Sequence, residues 1–282
     1  MRNLEEHSNL CSDLEKLEIE LLLEGIYRHY GFDFRNYAFS SIRRRIWHRI
    51  QAEKLSTVTS LLDKVLHDKK IMDKLFADFS INVTEMFRDP SFFHAFRTKV
   101  VPLLQDLPSI RIWHAGCSTG EEVYSMAILL HEEGLYHKTR IYGTDINDKV
   151  LQQAKTGQIP IHRMQSYTSN YVLSGGTKSF SEYYTAQREY VRFHPFLGEN
   201  LVFAQHNLVT DGSFNEFHVI ICRNVMIYFN RDLQERVQQL IYESLGVSGI
   251  LGLGSREGLS FTPYAHCYEE MDSLEKIYRK IK

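Results

Sequence analysis

Hydrophobic residues repeat along this chain with two different spacings, and the change between them divides the sequence. In the first part, apolar side chains recur at helical spacing, in one set at Leu14, Leu17, Leu21, Leu22 and Ile26 and in another at Ile42, Ile46 and Ile50. Further along, short apolar runs of strand length alternate with helical stretches. The pattern predicts an all-helical domain over residues 1–80, a linker or lid with one helix over 81–108, and an α/β domain over 109–282.

The predicted α/β domain contains strand-like apolar runs that are bounded by turn residues. Strands are predicted at 110–115, 139–145, 201–205, 217–222 and 249–254, with a closing antiparallel pair between 268 and 280. The run Phe217–Cys222 is largely apolar, as expected for a central parallel strand that is covered on both faces. Because helices are predicted between these strands, the pattern indicates a doubly wound, Rossmann-like sheet of seven strands.

Residues 158–200 interrupt this alternation of strands and helices. The segment is rich in tyrosine and serine, contains Gly175-Gly176, and includes strand-like pieces such as Glu189–Phe193. We interpret it as a small inserted β-subdomain. Its tyrosines could line a binding groove or pack a thin insertion, and the residues alone favour packing; they are Tyr167, Tyr171, Tyr183, Tyr184 and Tyr190.

The second predicted helix, from about Tyr37 to Lys54, has an apolar face beside a basic one. The basic arc has no acidic residue expected one turn away, and it consists of Arg44, Arg45, His48 and Arg49. Such a face is most often solvated surface. Because the formal net charge of the chain is −2, so concentrated a positive face also fits an acidic partner protein.

The stretch from Arg111 to Glu122 joins a predicted strand to a helix through a glycine-containing turn. Strand, glycine turn and helix in this order form the ligand crevice of doubly wound sheets. Gly116 would let the backbone approach a ligand closely, and the start of the helix leaves backbone N–H groups without partners. Glu121 and Glu122 begin that helix, where they would repel a pyrophosphate and attract a cationic amino or sulfonium group.

Further candidate ligand residues follow the other predicted strands, since ligands of such sheets bind at the carboxyl ends of the strands. Asp145 ends the second strand, where an acid commonly accepts hydrogen bonds from ribose hydroxyls. Capping the next helix is the alternative role for this residue. Asn207 could pair with an adenine edge, and Leu208, Arg223 and Asn224 also lie at strand ends.

An irregular segment over residues 79–90 precedes the first strand and carries Asn82, Thr84 and Arg88. It has neither a helical nor a strand period, and it ends in Asp89-Pro90, a typical helix start. The segment could fold over the crevice, or it could be an ordinary linker with a capping threonine. The pattern alone favours neither role.

Composition and charge exclude several classes of protein. The chain has 282 residues and a net charge of −2, which gives no general attraction to nucleic acid or to an anionic membrane surface. No apolar run approaches the roughly 20 residues of a membrane-spanning helix, and the N-terminus lacks the apolar core of a signal peptide. We therefore expect a cytoplasmic protein. Because no two cysteines form a C-x-x-C pair, we expect reduced thiols and no metal site; the cysteines are Cys11, Cys117, Cys222 and Cys267.

Four motifs resemble those of the CheR-type chemotaxis receptor methyltransferases, a family of protein-glutamate O-methyltransferases. They are Asn-Val-Thr-Glu-Met-Phe-Arg at 82–88, Gly-Cys-Ser-Thr-Gly-Glu-Glu-Val-Tyr-Ser at 116–125, Gly-Thr-Asp-Ile at 143–146, and Cys-Arg-Asn-Val-Met-Ile-Tyr-Phe at 222–229. The resemblance covers almost the whole chain, and the last motif is not a general Rossmann feature. It implies an S-adenosylmethionine methyltransferase sheet, with an N-terminal helical domain and a small inserted β-subdomain.

The resemblance also implies a reaction and its residues. A methyl group would pass from S-adenosylmethionine to glutamate side chains on the cytoplasmic helical domain of a chemoreceptor-like protein, with S-adenosylhomocysteine as the product. Arg88 and Tyr228 would lie nearest the methyl group, as catalytic residues. The basic helix would face the receptor, and the insertion matches the place where some family members hold a receptor tail. The motifs assign cofactor contacts to Asn82, Thr84, Arg88, Glu122, Asp145, Asn207, Leu208, Arg223 and Asn224, and the crevice adds Gly116 and Glu121.

Two stretches differ from the family pattern and leave alternatives open. Residues 254–258 read Gly-Ser-Arg-Glu-Gly where family members often have Gly-His-Ser-Glu, and the insertion is more aromatic. The alternatives are a methyltransferase for another protein or a small molecule, and a non-catalytic signalling module that binds the cofactor. The basic helix favours a receptor substrate over a small molecule, and the presence of Arg88 and Tyr228 favours catalysis. A nicotinamide dehydrogenase is disfavoured because the turn lacks the G-x-G-x-x-G spacing.

Overall fold

The computed structural model describes residues 2–80, 82–260 and 262–282, with side chains described from residue 13 onward. The chain forms two compact units, one of Met1–Ile81 with Tyr228–Gln234 and the other of Asn82–Ile227 with Glu235–Lys282. The sequence assigns residues 228–234 to the α/β domain, but the structure groups them with the helices. The reason is that Phe229 forms a β-bridge with Tyr37 and packs edge-on against its ring at 5.0 Å.

The helical unit consists of α1 (Arg2–Tyr30), α2 (Phe39–Ala52), α3 (Val58–His67) and α4 (Lys69–Phe79). The isoleucine repeat predicted on α2 is fully buried in its core, as are two residues of the repeat on α1, Leu22 and Ile26. The other three residues of that repeat are more than half exposed, because they lie on another face of α1; they are Leu14, Leu17 and Leu21.

The second unit contains ten strands in its described residues. In chain order they are β1 (Ile110–Ala115), β2 (Thr139–Asp145), β3 (Gln158–Pro160), β4 (Tyr184–Ala186), β5 (Tyr190–Phe193), β6 (Leu201–Gln205), β7 (Phe217–Cys222), β8 (Leu245–Leu253), β9 (Tyr268–Asp272) and β10 (Ile277–Lys280). Its helices are α5 (Pro90–Ala95), α6 (Val101–Leu104), α7 (Glu121–Glu132), α8 (Asp148–Thr156) and α9 (Met164–Leu173), and α10 (Arg231–Ser244) begins in the other unit. A π-helical turn, Phe96–Val100, joins α5 to α6.

Seven strands form one sheet in the order β6-β2-β1-β7-β8-β10-β9. The pairs from β6 to β8 are parallel, whereas β10 runs antiparallel to both β8 and β9. This arrangement confirms the predicted Rossmann-like sheet with a closing antiparallel pair. The strand order changes direction between β1 and β7, and ligands of such sheets bind beyond the carboxyl ends of the strands at that point.

The inserted segment forms a three-stranded antiparallel sheet in the order β3-β5-β4, which confirms the predicted β-subdomain. It also contains α9, which the sequence did not predict. Tyr171 and Tyr183 are buried and donate hydrogen bonds to Glu132 of α7. Tyr167 is buried as well, whereas Tyr184 and Tyr190 are half-buried. Most of these rings therefore pack the insertion against the main sheet domain.

Two whole-chain expectations can be compared with the described residues. None of the helices there is both long and apolar enough to cross a bilayer. Within the same part of the chain, Cys117, Cys222 and Cys267 are buried and unpaired by disulfides. The side chain of Cys11 lies outside the described residues.

Candidate functional site

The glycine turn after β1 has the geometry that the sequence predicts for a ligand crevice. Gly116 has a φ of +77°, and a Cβ placed there would lie 2.5 Å from Cγ2 of Val225. Both the backbone conformation and the space thus exclude a side chain at this position. Gly120, with a φ of +88°, caps the N-terminus of α7. Gly116 therefore lets the turn after β1 pack closely against Val225, which lies just beyond the end of β7.

Asp145 ends β2 beside this turn, and its side chain connects the end of the strand to the turn. Its carboxylate accepts hydrogen bonds from the backbone N–H of Ser118 and of Asn147, each at 2.9 Å. Burial raises the pKa of Asp145, although these N–H groups oppose the rise. The side chain of Asn147 caps α8 by accepting from Lys149 N–H at 3.0 Å, so the alternative that Asp145 caps this helix is wrong. The backbone N–H of Ile146 also lowers the pKa of Asp145, and a carboxylate has about four acceptor sites, so Asp145 can still accept from a ligand.

The two glutamates that begin α7 have different environments. Glu121 is almost fully buried and accepts from the Thr119 hydroxyl at 2.6 Å, and burial raises its pKa. Glu122 lies 2.9 Å from Nδ1 of His114 and 3.1 Å from Nη1 of Arg223. Burial would raise the pKa of Glu122, but these two partners outweigh it and hold the pKa below the usual range. Glu122 is thus an ionised carboxylate at neutral pH.

Arg223 follows β7 and is almost fully buried. The sequence predicted it as a cofactor contact but did not predict this burial. Besides Glu122, it donates to Asp89 at 2.7 Å and to the backbone carbonyl of Arg88 at 3.2 Å. Its guanidinium also lies 4.0 Å from the ring centroid of Phe92. Arg223 therefore connects the irregular segment before α5 to the end of the central strand.

That irregular segment is packed against its neighbours. Phe87 is buried and donates its backbone N–H to the Ser125 hydroxyl on α7 at 2.8 Å, while Asn170 of α9 donates to the carbonyl of Met86 at 3.1 Å. The cap residue of α5 is Asp89, so a threonine of this segment does not cap that helix. The segment is anchored on two helices.

The predicted residues of this segment occupy its surface. Asn82, Thr84 and Arg88 are all half-buried. Nη1 of Arg88 donates to the carbonyl of Val83 at 3.1 Å, within the same segment. The rest of the Arg88 guanidinium has no hydrogen-bond partner among the described residues, so it is free to bind a carboxylate.

The turn after β6 is closed by Asn207. Its side-chain oxygen accepts from Val209 N–H at 3.0 Å, and its backbone N–H donates to Asp211 at 2.8 Å. In the part of the chain that the structure describes, the side-chain NH₂ has no partner. Leu208 beside it is buried. The turn thus offers an amide donor and an apolar wall.

Glu257 organises the loop after β7 and was not predicted from the sequence. Its buried carboxylate accepts four backbone N–H groups at 2.7–2.9 Å, those of Asn224, Val225, Met226 and Gly254. Burial raises the pKa of Glu257, and the four N–H groups oppose the rise. Asn224 itself has a φ of +60°. The sequence signal that could have identified Glu257 is its position as an acid just after β8, within the stretch 254–258 that differs from the family pattern.

The basic arc on α2 does not form one uniform surface. Arg49 is held by Asp78 of α4 at 2.7 Å and by Glu53 at 3.2 Å, so the expectation that the arc lacks acidic partners is wrong. Glu53 lies one turn further along the chain, and Asp78 comes from another helix. His48 is largely exposed, at 3.8 Å from Asp78. Arg44 is exposed and has no partner among the described residues.

Arg45 points into the helical unit, which corrects its prediction as a surface contact. It is only 8% exposed, donates to the Ser41 hydroxyl at 2.8 Å, and lies 5.3 Å from the ring centroid of Tyr228. Burial and the charge of Arg44 lower the pKa of Arg45. Tyr228 is half-buried in the same unit, where its carbonyl accepts from Ala38 N–H at 2.8 Å. The structure thus brings together two residues that the sequence assigned to different roles.

A shallow depression lies on the exposed side of α2. It is lined by Arg43, Arg44, Trp47, His48 and Gln51. Arg43 and the Trp47 indole both donate to Glu15 of α1. The exposed positive charge on this helix is therefore carried by Arg44, with Arg43 and His48 at the edges of the same depression.

Several buried polar atoms around the glycine turn have no partner in the described part of the chain. They are Oγ of Ser118, Nε2 of His114 and Nε of Arg223. Buried polar groups are normally hydrogen-bonded. The crevice therefore combines orphaned polar atoms with the carboxylates of Asp145 and Glu122, which suits a ligand with hydroxyl groups and a positive charge.

Two family models match the chain. The model described as the SAM-binding domain of CheR methyltransferase matches residues 82–273, and the model of the all-alpha CheR methyltransferase domain matches residues 17–80. Together the two matches cover most of both compact units.

Relatives that match over most of their own length agree with these models. The Pseudomonas putida protein Cher3, described as a methyltransferase with no substrate or pathway in its name, is 49% identical over 94% of this chain and 97% of its own length. The chemotaxis protein methyltransferase of Listeria monocytogenes is 29% identical over 88% of this chain and 92% of its own. That of Salmonella typhimurium is 25% identical over 83% of this chain and 81% of its own.

Proposed function

The chain belongs to the CheR methyltransferase family, and on that premise we propose that it methylates glutamate side chains of a receptor-like signalling protein. The product would be a glutamate methyl ester. The observation that carries this proposal is that the family match includes the all-alpha domain, whose α2 exposes positive charge. A methyltransferase for a small molecule would have no use for such a surface.

S-adenosylmethionine is the cofactor, and it supplies a methyl group on a positively charged sulfur. The residues around the glycine turn fit this molecule, since the crevice holds ionised Glu122, the Asp145 carboxylate and an unpartnered Ser118 hydroxyl. We assign Asp145 to the ribose hydroxyls, Asn207 and Leu208 to the adenine, and Glu122 to the amino group. Gly116, Glu121, Asn82, Thr84, Arg223 and Asn224 complete the proposed set around it.

The proposed substrate group needs little activation. A glutamate carboxylate has a pKa of about 4.3, so it is already an anionic nucleophile at neutral pH and requires no general base. The task of the protein is to hold the carboxylate oxygen in line with the methyl carbon and sulfur and to exclude water. Arg88 has the free donors to hold that carboxylate. The resemblance of the 222–229 motif makes Tyr228 the second proposed catalytic residue.

Recognition of the substrate would rely on opposite charge. The depression on α2 presents Arg44, Arg43 and His48 around the Trp47 ring. Acidic helices that carry glutamates for methylation would be attracted to this surface and oriented by it. Arg45 and Arg49 would not contact the substrate, because their guanidinium groups are engaged inside the helical unit.

Transfer of a tritiated methyl group onto purified cytoplasmic domains of receptors tests the proposal. We expect label on the receptor fragment that mild base releases as methanol, because an ester is base-labile and an N-methyl product is not. Base-stable label would instead indicate another class of protein methyltransferase. Labelling of no receptor fragment, by an enzyme that binds the cofactor, would refute the proposed substrate.

Calorimetry tests the cofactor site independently of any substrate. We expect micromolar binding of S-adenosylmethionine and S-adenosylhomocysteine and no binding of NAD, since the acids of the turn oppose a pyrophosphate. Binding of NAD at comparable affinity would contradict the assignment of the crevice.

A further inference from the structure

We propose that His114 is a positioning residue of the cofactor site, which fixes the Glu122 carboxylate that holds the amino group of S-adenosylmethionine. The inference rests on the role of Glu122 proposed above. His114 is the next-to-last residue of β1, and its side chain is fully buried. Its neighbours along the strand are the apolar residues Trp113 and Ala115. A buried imidazole in such a strand is costly unless its polar atoms are used.

The one hydrogen bond that the structure gives the His114 ring joins it to Glu122. Nδ1 lies 2.9 Å from Oε1 of Glu122, while Nε2 has no partner among the described residues. An ionised carboxylate only accepts hydrogen bonds, so Nδ1 must carry the proton that is shared with it. The side chain of His114 is therefore committed to the orientation of Glu122.

Glu122 is held from two sides. His114 donates to Oε1, and Nη1 of Arg223 donates to Oε2 at 3.1 Å. Arg223 is itself held by Asp89 at 2.7 Å. Two donors on different oxygens fix the plane of the carboxylate, whereas Arg223 alone would let it rotate. The remaining lone pairs then point in a fixed direction before the ligand arrives, which lowers the ordering cost of binding.

Two substitutions separate this role from simple packing. His114→Leu keeps a buried side chain of similar size but removes the donor. His114→Asn retains an N–H donor at the same number of bonds from Cα as Nδ1, so it can still donate to Glu122. His218→Leu is the matched control, because His218 also contacts β1, accepting from Arg111 N–H at 3.0 Å, but at the opposite end of that strand.

The ligand pair that tests the proposal is S-adenosylhomocysteine and 5′-methylthioadenosine, measured by calorimetry on the full chain. The second ligand has the adenosine and the thioether but lacks the amino-acid end. We expect His114→Leu to lower the affinity for S-adenosylhomocysteine about tenfold. The affinity for 5′-methylthioadenosine should not change. His114→Asn should restore most of the loss, and His218→Leu should bind both ligands as the native chain does.

A double substitution tests whether the effect passes through Glu122. Glu122→Gln should also lower the affinity for S-adenosylhomocysteine and not that for 5′-methylthioadenosine. Adding His114→Leu to Glu122→Gln should cause little further loss of affinity. Equal weakening of both ligands by His114→Leu would overturn the proposal, as would unchanged affinity for S-adenosylhomocysteine. If Glu122→Gln has no effect, the roles of both residues fall. Because no methyl acceptor is present, failure of the proposed glutamate substrate would leave these results unaffected.

Discussion

Asp145 offers the most direct test of the cofactor site, because the structure gives it two separable roles. Substitution by alanine removes the proposed ribose contact and also the acceptor for two backbone N–H groups, those of Ser118 and Asn147. The first loss lowers cofactor affinity, whereas the second destabilises the protein without any ligand. The two effects can therefore be measured separately on one variant.

The expected losses of stability and of affinity can be worked out from the hydrogen bonds that Asp145→Ala removes. Loss of a hydrogen bond to a charged acceptor costs about 1.5–3 kcal/mol, so two at 2.9 Å set an upper range of about 3–6 kcal/mol. Removing a buried charge offsets part of this, since burial raises the pKa of Asp145 and thus opposes its ionised form. We expect a net loss of about 2 kcal/mol in the free energy of unfolding. Loss of the ribose contacts should weaken cofactor binding by about 1–3 kcal/mol.

For Asp145→Ala, urea denaturation without ligand measures the loss in the free energy of unfolding. Calorimetry with S-adenosylhomocysteine measures the loss of binding affinity. Asn147→Ala is the matched control: it removes the cap of α8, costs about 1 kcal/mol of stability, and should keep the native cofactor affinity. Native affinity in Asp145→Ala, alongside reduced stability, would leave Asp145 a purely structural residue. An equal loss of affinity in Asn147→Ala would show that the turn, and not the carboxylate, determines binding.

Further predictions concern the substrate surface, the loop after β7 and acid stability. Arg44→Glu should preserve calorimetric cofactor affinity but reduce methylation of a receptor fragment by several-fold or more, and undiminished methylation would identify the arc as solvated surface. Arg49→Glu should instead lower the melting temperature, because it places an acid beside Asp78 and Glu53, and an unchanged melting temperature would contradict that pairing. Glu257→Gln places an NH₂ against two of the four N–H donors and should destabilise the chain by about 2 kcal/mol in urea denaturation; a stability equal to the native chain would contradict the geometry of the loop. The pKa of Glu122 is held low, so its ionisation stabilises the fold above the ordinary carboxyl range, and this contribution should disappear as the pH falls through the lowered pKa. The difference in stability between the native chain and Glu122→Gln should shrink on acidification. A difference that grows would contradict a lowered pKa for Glu122.

Much of the fold could be predicted because it depends on local patterns. The apolar runs at β1, β2 and β7 have strand length, and the glycines of the turn after β1 have the positive φ that favours glycine. These features depend on neighbouring residues, so they are visible in the sequence. The helix α9 was missed because its polar and aromatic residues carry no clear helical period, and packing of Tyr167 and Tyr171 stabilises it.

The partners of charged side chains could not be predicted in this way. Arg44 and Arg45 are neighbours in the sequence, yet one is exposed while the other lies over Tyr228, far along the chain. His114 looked like one more residue of a strand, and Glu257 like a departure from a motif. Each acquires its role only when the fold brings a distant acid or backbone N–H within hydrogen-bond distance.

The amino-acid sequence by itself therefore determined the Rossmann-like sheet, the glycine turn and the acids at the strand ends, since periodicity and motif spacing are properties of short stretches. Only the tertiary structure decided in which direction the pKa of each acid is shifted, which arginines are free, and how Glu122 is oriented between His114 and Arg223. The physical reason is that charge state and orientation depend on burial and on hydrogen bonds between residues far apart in the chain.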